Sequence, residues 1–228
     1  MNAPIIPASC FDFMQLVKSN NNREWFAQNK EAYLKELAYI EIFVEAMLND
    51  LNTHDVIETP SAKRSLHRIY RDIRFSKDKT PFKANWIGVF KRATKYRRGG
   101  YYYHFEPGHN FLLCGFWAPS PQDIKLVRDD IAFDASPLRK ILGSKIFVEN
   151  FGTLQGETLK TTPKGYDATH EAIDLLRYKQ YFIIKRYQDE EVLSKYFFKE
   201  AGATFRNMRP FLDYMSEVLS IDINGLPI

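Results

Sequence analysis

Residues Gly99–Trp117 read GGYYYHFEPGHNFLLCGFW, and this stretch decides the fold class. Two short runs rich in aromatic and branched residues flank the turn signal EPGHN, so they predict two neighbouring antiparallel strands. Within the first run, alternation puts Tyr101, Tyr103 and Phe105 on one face and Tyr102, His104 and Glu106 on the other. Upstream, NWIGVFKRA (85–93) is a third run of the same kind, separated from the second by RRGG. The three form a meander. Further on, YFIIKRY (Tyr181 to Tyr187) predicts another strand.

Helical patterns flank these strands. FDFMQLV (Phe11 to Val17) reads as a short first helix with Ser9 as its cap. NNNREWFAQNK opens a long helix, capped by an Asn at 21 or 22, and Asn21 with Glu24 has the spacing of a capping box. Apolar residues then recur at Phe26, Tyr33, Leu37, Ile40, Val44, Met47, Leu48 and Leu51, a helical period sustained for about seven turns. PSPQDIKLVRDDI starts another helix, with Ser120 as cap, Pro121 at the first position and Asp123 in the first turn. The tail from Asp189 to Ser220 is mostly helical, with breaks expected near Gly202 and Pro210. Strands grouped between runs of helices predict an α+β fold, in which the long N-terminal helix and the C-terminal helices pack on an antiparallel sheet. No linker composition or repeat divides the 228 residues, so one globular domain over 1–228 is expected.

The composition, 45% hydrophobic and 15% aromatic, supports a sizeable core and excludes a disordered chain. The start, MNAPIIPASCFDFM, has no basic region before an apolar run, and no stretch approaches a membrane span of roughly 18 apolar residues. A cytoplasmic location is the expectation, with no membrane partner. Cys10 and Cys114 sit in hydrophobic contexts and read as buried thiols rather than a disulfide.

Charge is segregated. Residues 63–98 hold 13 Lys or Arg and two acids, a local charge of +11 in 36 residues, while the rest of the chain carries −7. A basic segment on an acidic body points to an anionic partner. At its centre is RIYRDIRFSKDKTPFK, Arg68 to Lys83. Arginine gives a planar two-pronged grip on phosphate or carboxylate, and lysine adds a point charge. Arg68, Arg71 and Arg74 recur every three residues, which places them on one flank of a helix. On a strand, Arg68 and Arg74 share a face that Arg71 opposes. SKDKTP reads as a turn. The candidate anion ligands are Arg68, Arg71, Arg74, Lys77, Lys79 and Lys83. The structural alternative is an ion-pair network through Asp72, Asp78 and distant acids such as Glu24 or Glu106.

Taken in order, NNREWF, RIYRDIRFSKDKTPFK, YHFEPG and LKTTPKGY make the chain resemble a widespread bacterial and fungal family of unknown function. The resemblance spans nearly the whole chain and implies a mixed α/β domain without an assigned activity. It also gives weight to PKGY and LRYK, whose Lys164 and Lys179 join the anion-binding candidates, with Arg177 beside them.

His104 and Glu106, two residues apart on a strand, form a candidate acid–base pair, with Asp72 as a further candidate proton carrier. With His109 they make a two-His-one-carboxylate set, but HFEPGH has no recurrent metal spacing, so no metal is expected. No Walker loop, dinucleotide fingerprint, nucleophile elbow or Cys/His zinc spacing is present, and no cofactor is expected. Three readings follow. The first is a pocket for a phosphorylated or carboxylated small molecule, binding or enzymatic. The second is nucleic-acid binding through 63–98, where KRATKYRRGG interleaves basic and aromatic residues and the Tyr-rich strand offers stacking faces. The third is a non-catalytic interaction module. Asp72 and Asp78 inside the motif favour the first, because a phosphate-backbone track gains nothing from them.

Overall fold

The computed structural model describes residues 3–93 and 96–220. Four strands, β1 (Trp86–Lys91), β2 (Gly100–Phe105), β3 (Asn110–Phe116) and β4 (Tyr181–Tyr187), form one antiparallel sheet in the order β1-β2-β3-β4. Before the sheet come α1 (Ala8–Ser19), α2 (Arg23–Gln28), α3 (Lys30–Leu51) and the short α4 (Ala62–Ser65). Between β3 and β4 lie α5 (Pro121–Phe133), α6 (Ser136–Leu142), α7 (Lys145–Phe151) and α8 (Ile173–Leu176). After β4 come α9 (Asp189–Val192) and α10 (Phe197–Val218). The fold is α+β, as the grouping of strands between helices predicts. No described helix is long and apolar enough to cross a membrane.

The chain divides into two compact units. The first contains residues up to Phe90, Tyr102–Leu112 and Arg186–Ala203. Its core is aromatic. Phe43 of α3 stacks on Phe197 with ring centroids 5.8 Å apart and meets Phe105 edge-on. α1 packs on α3, with Cys10 against Glu36 and with Met14 and Val17 also buried. Tyr103 is buried and its hydroxyl lies 2.7 Å from that of Ser65. Gly88 permits this approach, because a Cβ there would fall 2.2 Å from the Tyr103 Oη.

The second unit contains Lys91–Tyr101, Leu113–Lys185 and residues from Thr204 onward. Ser120 caps α5 by accepting the Asp123 amide, with Pro121 in the first turn, as the sequence predicts. Tyr101 is buried on Phe205, and the Tyr214 hydroxyl donates to Asp130 at 2.6 Å. The Arg92 guanidinium is almost fully buried, pairs with Asp213 and donates to Ser216 Oγ at 2.9 Å.

Several local expectations are corrected. The long helix is two helices, α2 and α3, joined at Asn29, whose φ of −105° and ψ of 14° leave the helical region. Asn22 caps α2 by accepting the Trp25 amide, so Asn21 is free for another role. Ser9 does not cap α1. It donates to the buried Glu36 carboxylate at 2.7 Å, and the Cys10 thiol points at the same oxygen. α10 runs unbroken through Gly202 and Pro210. Its apolar stripe, Phe205, Met208, Phe211, Leu212 and Met215, is buried, and burial of that size outweighs the roughly 3 kcal/mol cost of an interior proline. Gly202 serves a close approach, since a Cβ there would meet Asp50 Oδ2 at 2.6 Å. Both cysteines are free and buried.

Candidate functional site

The basic motif is neither a helix nor a regular strand. Residues 66–71 are extended and fold back antiparallel on 81–88, through bridges Leu66 to Gly88 and Tyr70 to Phe82. The Arg71 amide donates to the Pro81 carbonyl, and the Lys83 amide donates to Ile69. Residues 72–80 form the connecting loop, and SKDKTP carries a bend at Lys77 and no regular turn. Phe82 is buried and stacks on Phe26 of α2 with centroids 4.1 Å apart. The amide side chain of Asn21 clamps Phe82 from the other side.

This geometry sorts the six motif cations. Arg71 is bound by Asp78 and Thr80 across the loop. Asp78 is held down at about 2, chiefly by the Thr80 amide and then by Arg71. Arg74 forms a two-pronged pair with Asp72 at 2.7 and 3.0 Å, which lowers the Asp72 carboxyl. Lys79 donates to the Ile73 carbonyl at 2.9 Å. Lys77 is exposed. Thus two of the three arginines are already engaged by the motif's own acids, and Asp72 is an ion-pair partner rather than an unoccupied proton carrier.

Arg68 and Lys83 differ. Among the described residues neither has a carboxylate partner. The Lys83 ammonium donates to the Arg68 carbonyl at 3.0 Å. Burial lowers its pKa, and the nearby Arg68 charge lowers it further. The His67 imidazole is depressed in the same way, by burial and then by Lys83. Lys83 lines an open groove of about 350 Å³ together with Lys18, Asn21, Arg71, Thr80, Asn85 and the Asp78 carboxylate, which is engaged by Arg71. Lys18, Asn21 and Asn85 were not candidates from sequence. Lys18 is an ordinary last-turn cation of α1, and neither asparagine lies in a recognisable ligand motif.

Asn85 connects this groove to the polar edge of the hairpin formed by β2 and β3. Its Nδ2 donates to Glu106 Oε2 at 3.3 Å, and the same oxygen accepts from His104 Nε2 at 2.9 Å. His104 and Glu106 therefore do pair. Burial lowers the His104 pKa more than the Glu106 hydrogen bond and charge raise it. The ring stacks on Phe111, centroids 4.6 Å apart. His109, across the turn, joins the cluster, and one donor atom from each of His104, Glu106 and His109 lies within 4.8 Å of the others.

The remaining candidates belong to the second unit. Lys179 pairs with Glu157 at 2.5 Å. Lys164 is exposed in a turn beside Gly165, whose φ is +93°. Arg177 keeps a buried Nε without a partner among the described residues. The basic segment is itself split, with 91–98 in the second unit, where Arg92 and Arg98 pair with Asp213 and Asp123. Lys95 lies outside the described residues. Tyr101 and Tyr103 are buried, so their rings are not stacking faces for bases.

These features define an α+β protein with a partly neutralised basic hairpin beside a His–Glu–His cluster. The chain belongs to the family described as conserved hypothetical protein DUF2461, whose model matches residues 9–214. No curated protein and no solved structure matches it.

Proposed function

We propose that the first unit binds a small phosphorylated or carboxylated molecule in the groove beside Lys83. The observation that carries this reading is the pairing of two cations without an acid. Lys83 is half-buried next to Arg68, and no described carboxylate neutralises either. Proteins seldom bury an ammonium unpaired, because desolvation favours its neutral form. A bound anion compensates both charges at once. Lys18 and the Asn85 side chain on the groove wall add donors. Arg71, fixed by Asp78, supports the wall and is not the principal anion ligand.

Nucleic-acid binding along 63–98 has weaker support, because Arg71, Arg74, Arg92 and Arg98 each already meet an aspartate and the Tyr101 and Tyr103 rings are buried. An interaction module without chemistry remains the other reading, and it needs no anion at Lys83. The test is calorimetric titration with orthophosphate, citrate and a panel of phosphorylated metabolites, in wild type, Arg68→Gln and Lys83→Gln. Saturable one-to-one binding lost in both variants supports the reading. No binding, or binding unchanged by both substitutions, overturns it. Salt-sensitive binding of oligonucleotides alone would shift the case to nucleic acid.

A further inference from the structure

The hairpin turn between β2 and β3 carries a second arrangement, independent of the groove cations. Glu106, Pro107, Gly108 and His109 form a turn closed by the His109 amide on the Glu106 carbonyl at 2.8 Å. Proline at the second position and Gly108 at φ +79° are the requirements of a type II turn. Residues at the two ends of such a turn face the same side, as do residues two apart on a strand. His104, Glu106 and His109 are therefore brought to one face by backbone geometry, not by side-chain reach alone.

The turn is also braced. The Asn110 side chain accepts the Glu106 amide at 3.0 Å and donates to Asp189 at 2.6 Å, and Asp189 also accepts the Gly108 amide. Both hydrogen bonds to Glu106 fall on Oε2, leaving Oε1 without a partner among the described residues. Two imidazoles and a carboxylate with one oxygen unused thus converge on one place.

The geometry points to a site for a borderline divalent transition-metal cation, of which Zn²⁺ is the type, held by His104, Glu106 and His109. Two imidazoles and one carboxylate suit such ions, whereas Mg²⁺ and Ca²⁺ prefer oxygen alone. Bonds of roughly 2.1 Å place neighbouring ligand atoms about 3.4 Å apart in a tetrahedral shell. His104 and Glu106 are already at 2.9 Å, and the widest separation in the set is within 4.8 Å. His109 is exposed, so rotation of its ring closes the gap without repacking. Three protein ligands leave a coordination position open, the pattern of metal sites that take a water or a substrate oxygen. Neither thiol competes for the ion, since both cysteines are buried.

The test uses the tag-free full chain, stripped with chelator and titrated with Zn²⁺ by calorimetry and with Co²⁺ by visible absorption, in the absence of any anionic ligand. The expected result is one equivalent bound, visible d–d bands for Co²⁺, and no competition from Mg²⁺. His109→Ala and Glu106→Gln should each weaken binding by about 100-fold or more, since even outer-shell changes cost 10–100-fold. His109 is exposed, so that variant should keep the wild-type circular dichroism and separates ligand loss from misfolding. Absence of stoichiometric binding, or wild-type affinity in His109→Ala, overturns the site. Because no anion is present, neither outcome bears on the groove.

Discussion

Asn21 and Phe82, 61 residues apart, exchange two hydrogen bonds: Asn21 Nδ2 donates to the Phe82 carbonyl at 2.9 Å, and the Phe82 amide donates to Asn21 Oδ1 at 3.0 Å. A side-chain amide here does what a neighbouring strand would do, satisfying both backbone groups of one residue. The Phe82 ring meanwhile packs on Phe26, five residues after Asn21. The loop leading into α2 thereby fixes the arm of the hairpin that carries Lys83.

Replacing Asn21 by Ala should destabilise the protein by about 1–3 kcal/mol, the cost of leaving backbone groups unsatisfied. Chemical denaturation with an unchanged slope and a lower midpoint is the expected result. The conservative Asn21→Asp retains the acceptor but loses the donor, and should fall between Ala and wild type.

Gly88→Ala should be more severe than an ordinary exchange of that size. Its Cβ would lie 2.2 Å from the Tyr103 hydroxyl oxygen, 2.4 Å from the ring carbon that bears it and 2.5 Å from the Ser65 carbonyl. Overpacking of this kind costs about 1–3 kcal/mol or more. Removing the hydroxyl with Tyr103→Phe should rescue only part of the loss, because the ring carbon and the Ser65 carbonyl remain too close. Thermal melts of the single and double variants measure this.

The Asp78 carboxyl should titrate at about 2 rather than its ordinary 3.8. Its charged form is favoured in the fold, so its contribution is fully present above the ordinary value. That contribution disappears as pH falls from about 4 through about 2. Carboxyl chemical shifts followed by NMR report this midpoint. Arg71→Ala should raise it only part of the way, because the Thr80 amide is the larger cause of the depression.

Lys83→Met should leave the unliganded protein as stable as wild type or slightly more so. The charge is disfavoured in the fold by burial and by Arg68, and the four-carbon stem is replaced by an apolar chain of similar length. The same variant should lose any rise in Tm that phosphate or citrate gives wild type. A marked destabilisation without ligand would instead assign Lys83 a structural role.

Ser120→Ala should cost about 1 kcal/mol by removing the cap on the Asp123 amide. The midpoint of chemical denaturation measures it, and Ser120→Asp should restore most of the loss.

Much of this fold is determined by periodicity along the chain. Alternation alone placed Tyr101, Tyr103 and Phe105 on one face, and the fold buries all three. YFIIKRY is strand β4 over its full length, and Ser120 with Pro121 starts α5. Such features depend on neighbours within a few residues, so the sequence specifies them. The helix break at Asn29 and the continuity of α10 through Pro210 were not legible, because burial of distant apolar faces decides both.

The candidate site divides along the same line. Composition located the basic segment and its central motif. It did not say which cations are spent, since Arg71 finds Asp78 and Arg74 finds Asp72 only through the shape of one loop, and Arg92 meets an aspartate 121 residues away. The sequence gathered His104, Glu106 and His109 as a two-His-one-carboxylate set and marked EPGHN as a turn, but HFEPGH has no recurrent metal spacing, and only the fold shows their donor atoms within 4.8 Å of one another. Sequence set which charges and donors the protein has. Tertiary structure decided which of them meet, because an ion pair or a ligand set depends on separations of a few ångströms that only the folded chain fixes.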